Sequence, residues 1–239
     1  MTTPEQRRAQ LQHNLAGLRS RLERACDAAG RHPDELTLIA VTKFFPASDV
    51  VTLCDLGVTD LGESRAQEAA AKVAEFATLS DRQPRWHFVG RLQTNKASSV
   101  ARYADVVHSV DRPELVSALD DGVRKAGRDV VDVLIQVSLD ADPDRGGVLV
   151  GEVAHFADLV LDCERLRLAG VMAIAPLQAD PDEAFARLAE VSAELRSAHP
   201  WASVVSAGMS GDLEAAVRHG ATHVRIGTAL LGRRTTNFG

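Results

Sequence analysis

At 239 residues the chain can bury a full core as one large domain or two small ones, and 45% hydrophobic residues is an ordinary globular composition. A net charge of −6 argues against nucleic acid as a main partner, and no apolar run approaches the length of a membrane span. The three cysteines, Cys26, Cys54 and Cys163, lie far apart without CxxC spacing, which excludes a disulfide framework and a cysteine-rich zinc site and suits a reducing cytoplasm.

The opening MTTPEQRRAQLQ is polar and has no apolar signal core. Residues 4–29 read as one long amphipathic helix, with Leu11, Leu15, Leu18, Leu22 and Cys26 at steps of three and four and Gly30 as its stop. Residues 36–46, LTLIAVTKFFP, read as a buried strand that ends at Lys43 and is closed by Pro46, which has no amide donor. A helix capped near Ser48 and ended by Gly57 follows. The same unit then recurs. A short strand at 58–63 precedes a helix to about Phe76, strand 85–90 precedes helix TNKASSVARY, and strand 105–110 precedes helix RPELVSALDDGVRKAG. Strand 131–138 leads through the loop DADPDRGG to helix LVGEVAHFADLVLDC. Strand 166–174 precedes helix 181–198, strand 203–210 precedes helix 212–219, and strand 222–227 precedes a last short helix after Thr228.

Eight strands, each followed by a helix, imply a parallel sheet covered by helices. Eight such units in about 200 residues fit a (β/α)8 TIM barrel better than an open doubly wound sheet. The predicted fold is therefore α/β, a single barrel domain over 1–239 with 1–30 as an extra N-terminal flanking helix. Chemistry in such barrels collects where strands end and βα loops begin. Lys43 stands there, and it points inward if Ile39 and Val41 do, because it shares their side-chain parity. Only four of the 27 basic residues are lysines (43, 72, 96 and 125), so a strand-end lysine marks a position that needs an amine. The alternative is a lysine snorkelling into solvent.

At the other end of the chain, AGMSGD (207–212) places small residues and Ser210 at a strand-to-helix turn. VRIGTALLG (224–232) places Arg225 inside an apolar strand, with Gly227 and Thr228 at its exit. Loops after the last two strands of these barrels often hold phosphate, because backbone amides point at the anion and glycine permits close approach. Without a ligand, the glycines are ordinary turn residues and Arg225 is the partner of an Asp or Glu. An amine, a phosphate cradle and a buried arginine on one mouth fit a ligand with both an aldehyde and a phosphate, since an amine forms a Schiff base with an aldehyde. Pyridoxal 5′-phosphate (PLP) is such a ligand.

These residues resemble the YggS/PROSC family, the pyridoxal phosphate homeostasis proteins. The stretches that carry the resemblance are AVTKFFP (40–46), LGESRAQE (61–68), WHFVGRLQTNK (86–96), GVMAIAP (170–176), SAGMSGDLEAAV (206–217) and THVRIGTALLG (222–232). They run from the first strand to the last, and WHFVGRLQTNK with GMSGD and VRIG is specific in combination. The family resembles the barrel half of fold-type III PLP enzymes such as alanine racemase. The resemblance implies that Lys43 forms the internal aldimine and that Ser210, Gly227 and Thr228 hold the phosphate, with Met209 lining that site. It also implies that Arg225 faces the pyridine nitrogen. Ser64 departs from the family, which commonly has asparagine after Gly-Glu. Arg145 stands where many members carry lysine; it can attract an anion but forms no imine.

A permanently charged arginine beside the pyridine nitrogen disfavours its protonation and leaves a poorer electron sink. A racemase of this fold type also needs a second acid–base group, commonly a tyrosine from an added β domain. The one tyrosine, Tyr103, falls in the helix before the fourth strand, away from the mouth, and the barrel takes up the chain. The residues thus favour a non-catalytic carrier, with no catalytic residue, that holds PLP reversibly and passes it to apo-enzymes. A PLP-dependent amino-acid racemase is the first alternative. The second is a barrel for another phosphorylated metabolite, with Lys43 as an ion-pair donor. A cytoplasmic monomer is expected. The eight histidines show no HExxH and no ligand spacing, so no metal site is expected. His87 could serve the core or touch the cofactor, whereas His108 and His223 read as buried and hydrogen-bonded, and Glu63 as the partner of a cation at the mouth.

Overall fold

In a computed structural model, which describes residues 3–142 and 145–232, the alternating units close into a ring. The strands are β1 (Thr37–Val41), β2 (Asp60–Glu63), β3 (Arg85–Phe88), β4 (Val106–Val110), β5 (Val131–Ser138), β6 (Val148–Leu149), β7 (Leu166–Met172), β8 (Val204–Ser206) and β9 (His223–Ile226). The helices are α1 (Pro4–Ala28), α2 (Ala47–Asp55), α3 (Ala66–Leu79), α4 (Ala97–Val100), α5 (Pro113–Lys125), α6 (Val153–Leu161), α7 (Pro181–Ala198), α8 (Leu213–Arg218) and α9 (Thr228–Leu231). Neighbouring strands run in the order β4-β3-β2-β1-β9-β8-β7-β5, and β4 also pairs with β5, so eight parallel strands form a closed barrel. Closure leaves that ring without an unpaired edge. The two-residue β6 pairs in parallel alongside the end of β5, outside that ring. The fold is the predicted (β/α)8 barrel with an N-terminal helix.

Several strands stop earlier than the apolar runs suggest. β1 ends at Val41 rather than Lys43, β7 at Met172, and β8 at Ser206, short of Ser210. The first residue beyond each, Thr42, Ala173 and Ala207, is buried loop, which an apolar pattern cannot tell from strand. TNKASSVARY forms a 3-10 turn, Thr94–Lys96, and the single turn of α4 rather than one continuous helix.

Helix α1 is fixed at its start by a capping box. The Thr3 side chain accepts from the Gln6 amide, and the Gln6 side chain accepts from the Thr3 amide. Its Leu11, Leu15, Leu18 and Leu22 are buried among Val50, Leu53, Leu213 and Leu230, and each contributes about 1.5–3 kcal/mol. Polar ties add register. Arg7 pairs with Asp49 at 2.7 Å, Asn14 Nδ2 donates to Leu230 O at 2.9 Å, and Arg21 pairs with Glu214 at 2.6 Å. The helix thereby braces α2, α8 and α9 from behind, and these are the helices that follow the first and last two strands of the ring.

The barrel interior has two characters. Val106, Leu134 and Met172 form a small apolar cluster. At the strand starts Asp132 accepts from Arg85 and from both Nε (2.5 Å) and Nη2 (2.9 Å) of Arg167.

Candidate functional site

The turn after β1 displays one amine. Thr42 is fully buried, and its Oγ1 donates to Glu63 Oε1 at 2.7 Å. Lys72 Nζ reaches over from α3 and donates to Thr42 O at 2.7 Å and to Glu63 Oε1 at 2.5 Å. Beyond Thr42 the backbone turns out of the barrel. Phe45 N donates to Thr42 O at 3.1 Å, and Phe44 sits at φ 70°, a conformation that costs a non-glycine residue about 1–3 kcal/mol. Arg65 stacks 4.5 Å over the Phe44 ring and Arg7 5.4 Å over that of Phe45. Lys43 is therefore held between an anchored threonine and a stacked phenylalanine. Its side chain is exposed and has no hydrogen-bond or ion-pair partner among the described residues. Lys43 lies two residues past the end of β1.

The loops after β8 and β9 adjoin that turn. Gly227 abuts the end of β1: a Cβ on it would lie 3.3 Å from Val41 O. Gly208 takes φ 90°, and a Cβ there would meet Ala216 Cβ at 2.6 Å, so the turn needs glycine. Met209 N donates to Asp212 Oδ1 at 2.6 Å, and Ser210 O accepts from Arg21 Nη1 at 2.9 Å. These bonds fix the loop and leave the amides of Ser210, Gly211, Gly227 and Thr228 without an acceptor among the described residues. Ser210 and Gly227 are half-buried, and Met209 and Thr228 exposed.

Arg225, the third residue of β9, is buried, with no carboxylate partner among the described residues. Its Nη1 donates to Ser206 O and Ser206 Oγ, both at 2.7 Å, and its Nη2 to Ala173 O at 2.9 Å. Nε alone has no acceptor among the described residues. Burial pushes the guanidinium down to about 10, with Asp212 acting against it, so it stays charged at neutral pH. The reading of Arg225 as an Asp or Glu partner is thus not what the fold builds. His87 is a core residue: its Nε2 lies 2.9 Å from Asp60 and its Nδ1 2.8 Å from His108. His108 is buried, and burial pushes it well down. His223, bonded to Thr222 Oγ1 at 2.8 Å, is pushed down to about 4 by burial and by the neighbouring His87.

Glu63 does pair with a cation of the mouth, but with Lys72, which the sequence did not single out. The signal was present: Ala69, Lys72 and Phe76 are the buried positions of α3, so a lysine occupies the apolar stripe of that helix. Arg145 pairs with Asp140 at 2.8 Å and donates to Ile174 O and Ala175 O at 2.9 and 3.0 Å, tying the loop after β5 to the end of β7. Ser64 and Arg65 line a cavity of about 1290 Å³ beside the Lys43 turn, together with Arg91 and Lys96 of the GRLQTNK stretch. The backbone of Tyr103 lies between α4 and the start of β4. Its hydroxyl is buried without a partner, and burial pushes it up. No group of three His, Cys, Asp or Glu among the described residues could hold a metal ion. No described helix is long and apolar enough to cross a membrane.

A parallel eight-stranded ring, with an exposed amine after its first strand and, on its last two, a buried arginine and loop amides without an acceptor among the described residues, defines a class of protein. Residues 7–235 match the model of the alanine racemase N-terminal domain family. A pyridoxal phosphate homeostasis protein of Mycobacterium bovis is 49% identical, over 95% of this chain and 94% of its own length. One of Escherichia coli K12 is 38% identical over 93% and 96%. PipY of Synechococcus elongatus PCC7942, solved with PLP bound, is 34% identical with a TM-score of 0.80, covering 93% of this chain and 100% of its own. The chain belongs to the family of pyridoxal phosphate homeostasis proteins.

Proposed function

We propose that this protein holds PLP reversibly at the barrel mouth through Lys43 and serves cofactor supply in the cytoplasm, without strong catalysis of its own. The observation that carries this is an exposed amine, set against loop amides, with neither having a partner among the described residues. The donor set fits the cofactor. When bound, PLP supplies an aldehyde, a phosphate and a pyridine able to draw electrons. Lys43 Nζ is the amine that would hold the aldehyde. Ser210 and Thr228, with their amides and hydroxyls, and Gly227, with its amide, would hold the phosphate, and Met209 would line that site. Arg225 would face the ring nitrogen. Because the guanidinium keeps its proton at neutral pH, it would orient the ring without protonating it, which would limit carbanion chemistry. The names of the relatives and the PLP bound to PipY support the same assignment.

The family model's name favours a second reading, an amino-acid racemase. Against it stands Tyr103, whose hydroxyl is buried without a partner among the described residues and is held protonated by that burial. The recipients on this account are apo-enzymes that use PLP, and the carrier works as a monomer. Three free cysteines suit a reducing compartment. Titration with PLP should turn the wild-type protein yellow and leave Lys43→Ala colourless. A colourless wild type in excess cofactor would defeat the reading. Incubation with single L-amino acids should give no turnover, and a rate near the enzymatic median of about 10 per second would favour the racemase.

A further inference from the structure

A file of polar side chains crosses the barrel interior, and cofactor holding alone gives it no task. Asp60 opens β2 at the strand starts. Its side chain is 14% exposed and lines a cavity of about 430 Å³ beside α1. Asp60 Oδ1 lies 2.9 Å from His87 Nε2, His87 Nδ1 2.8 Å from His108 Nε2, and His108 Nδ1 2.9 Å from Ser206 Oγ. Ser206 Oγ takes Arg225 Nη1 at 2.7 Å. His87, His108, Ser206 and Arg225 are all buried. The file begins where the barrel meets solvent at one face and ends on the guanidinium at the other.

The chemistry of the groups gives the file a direction. A guanidinium only donates. Ser206 Oγ accepts from it and sends its own hydrogen to His108 Nδ1. His108 then donates from Nε2 to His87 Nδ1, and His87 from Nε2 to the Asp60 carboxylate. Every group is satisfied with both imidazoles neutral, and no atom of the file is among the buried polar atoms without a partner. The reverse order would set a lone pair of His87 Nε2 against a carboxylate. A second proton on His87 would turn the bonds between His87 and Ser206 round. Two donors would then aim at Ser206 Oγ, and its hydroxyl hydrogen would lose its acceptor. The other titratable groups of this interior are Arg85 on β3, Asp132 on β5, Arg167 on β7 and His223 on β9. The first three are tied to each other and the fourth to Thr222. Burial works against the Asp60 carboxylate, but hydrogen bonds from His87 and Thr59 hold it below its usual range.

We propose that Asp60, His87, His108 and Ser206 are positioning residues for Arg225, forming a one-way hydrogen-bond file that fixes the guanidinium at the mouth and links it to the protonation of the Asp60–His87 pair at the opposite face. Its bearing on PLP rests on Arg225 as the partner of the ring nitrogen, whereas the file itself is present without cofactor. Nitrogen NMR of histidine-labelled, cofactor-free protein at neutral pH should show His87 and His108 each neutral with the proton on Nε2. A proton on His108 Nδ1, or a doubly protonated ring at either residue, would overturn the proposal. Asp60→Asn puts an amide that can donate where only an acceptor stood. It should admit the reversed tautomer at His108, shift the pH profile of bound PLP absorbance and weaken PLP binding by about five-fold or more. Asp60→Glu should restore all three. Wild-type tautomers, profile and affinity in Asp60→Asn would overturn the link, and if that variant does not fold, the wild-type tautomers still decide. Expected tautomers in a protein that binds no PLP would refute the cofactor reading and leave the file standing.

Discussion

Two lysines reach the same strand end and meet opposite surroundings. Lys72 is buried, with its amine on Glu63 and Thr42 O, and it pins the residue after β1 to the last residue of β2. Lys43, one residue beyond Thr42, is exposed and unpartnered among the described residues. A buried pair locks geometry and keeps both charges in place, whereas an amine without a partner is available to a ligand. Residue type therefore does not identify the working amine of this barrel; the partners do. The locked lysine underpins the free one, because Thr42 is the shared anchor.

The sharpest separation comes from removing each amine in turn. Lys43→Ala should abolish PLP-dependent colour while changing stability by no more than about 0.5 kcal/mol, as for an exposed substitution, measured by urea unfolding. Lys72→Ala should do the reverse. It strands Glu63, already with Oε2 unpaired, and should cost about 3–5 kcal/mol, yet the folded fraction should still bind PLP at Lys43. Equal loss of colour in both would break the distinction.

A third effect lies in pH. His223 is pushed down to about 4 and His108 well below its usual value, so the folded state prefers both neutral. Their contribution is fully present above the unfolded histidine value of about 6.5 and is lost as pH falls toward about 4. Melting temperature should be flat above neutrality and fall through that window. His223→Gln should flatten part of the fall, about 1–3 kcal/mol by linkage. A profile unchanged by the substitution would contradict the burial assigned to His223. The smallest effect is expected from Arg65→Ala, which removes the cation over Phe44. It should cost about 0.5–1 kcal/mol and loosen the Lys43 turn, seen as modestly weaker PLP binding.

The barrel was legible in the sequence because each βα unit carries its own apolar run and its own stop. Arg225 and Lys43 were legible because a cation inside or at the end of an apolar run is conspicuous. The strand ends were not, since Thr42 and Ala207 are as buried in loops as they would be in strands. Lys72 lies on a helix that looks amphipathic without it. His87 and His108 could be placed on neighbouring strands, but their link to Ser206 exists only once the ring closes β4 onto β5 and brings β8 opposite. The two-residue β6 is too short to leave a pattern.

The claim that Lys43 is the working amine meets its most direct test in peptide mapping by mass spectrometry after incubation with PLP and borohydride reduction. One pyridoxyl phosphate group per chain is expected, on Lys43, with Lys72, Lys96 and Lys125 unmodified at equimolar cofactor. Label on Lys72, label spread over the lysines, or no label on Lys43 would contradict it.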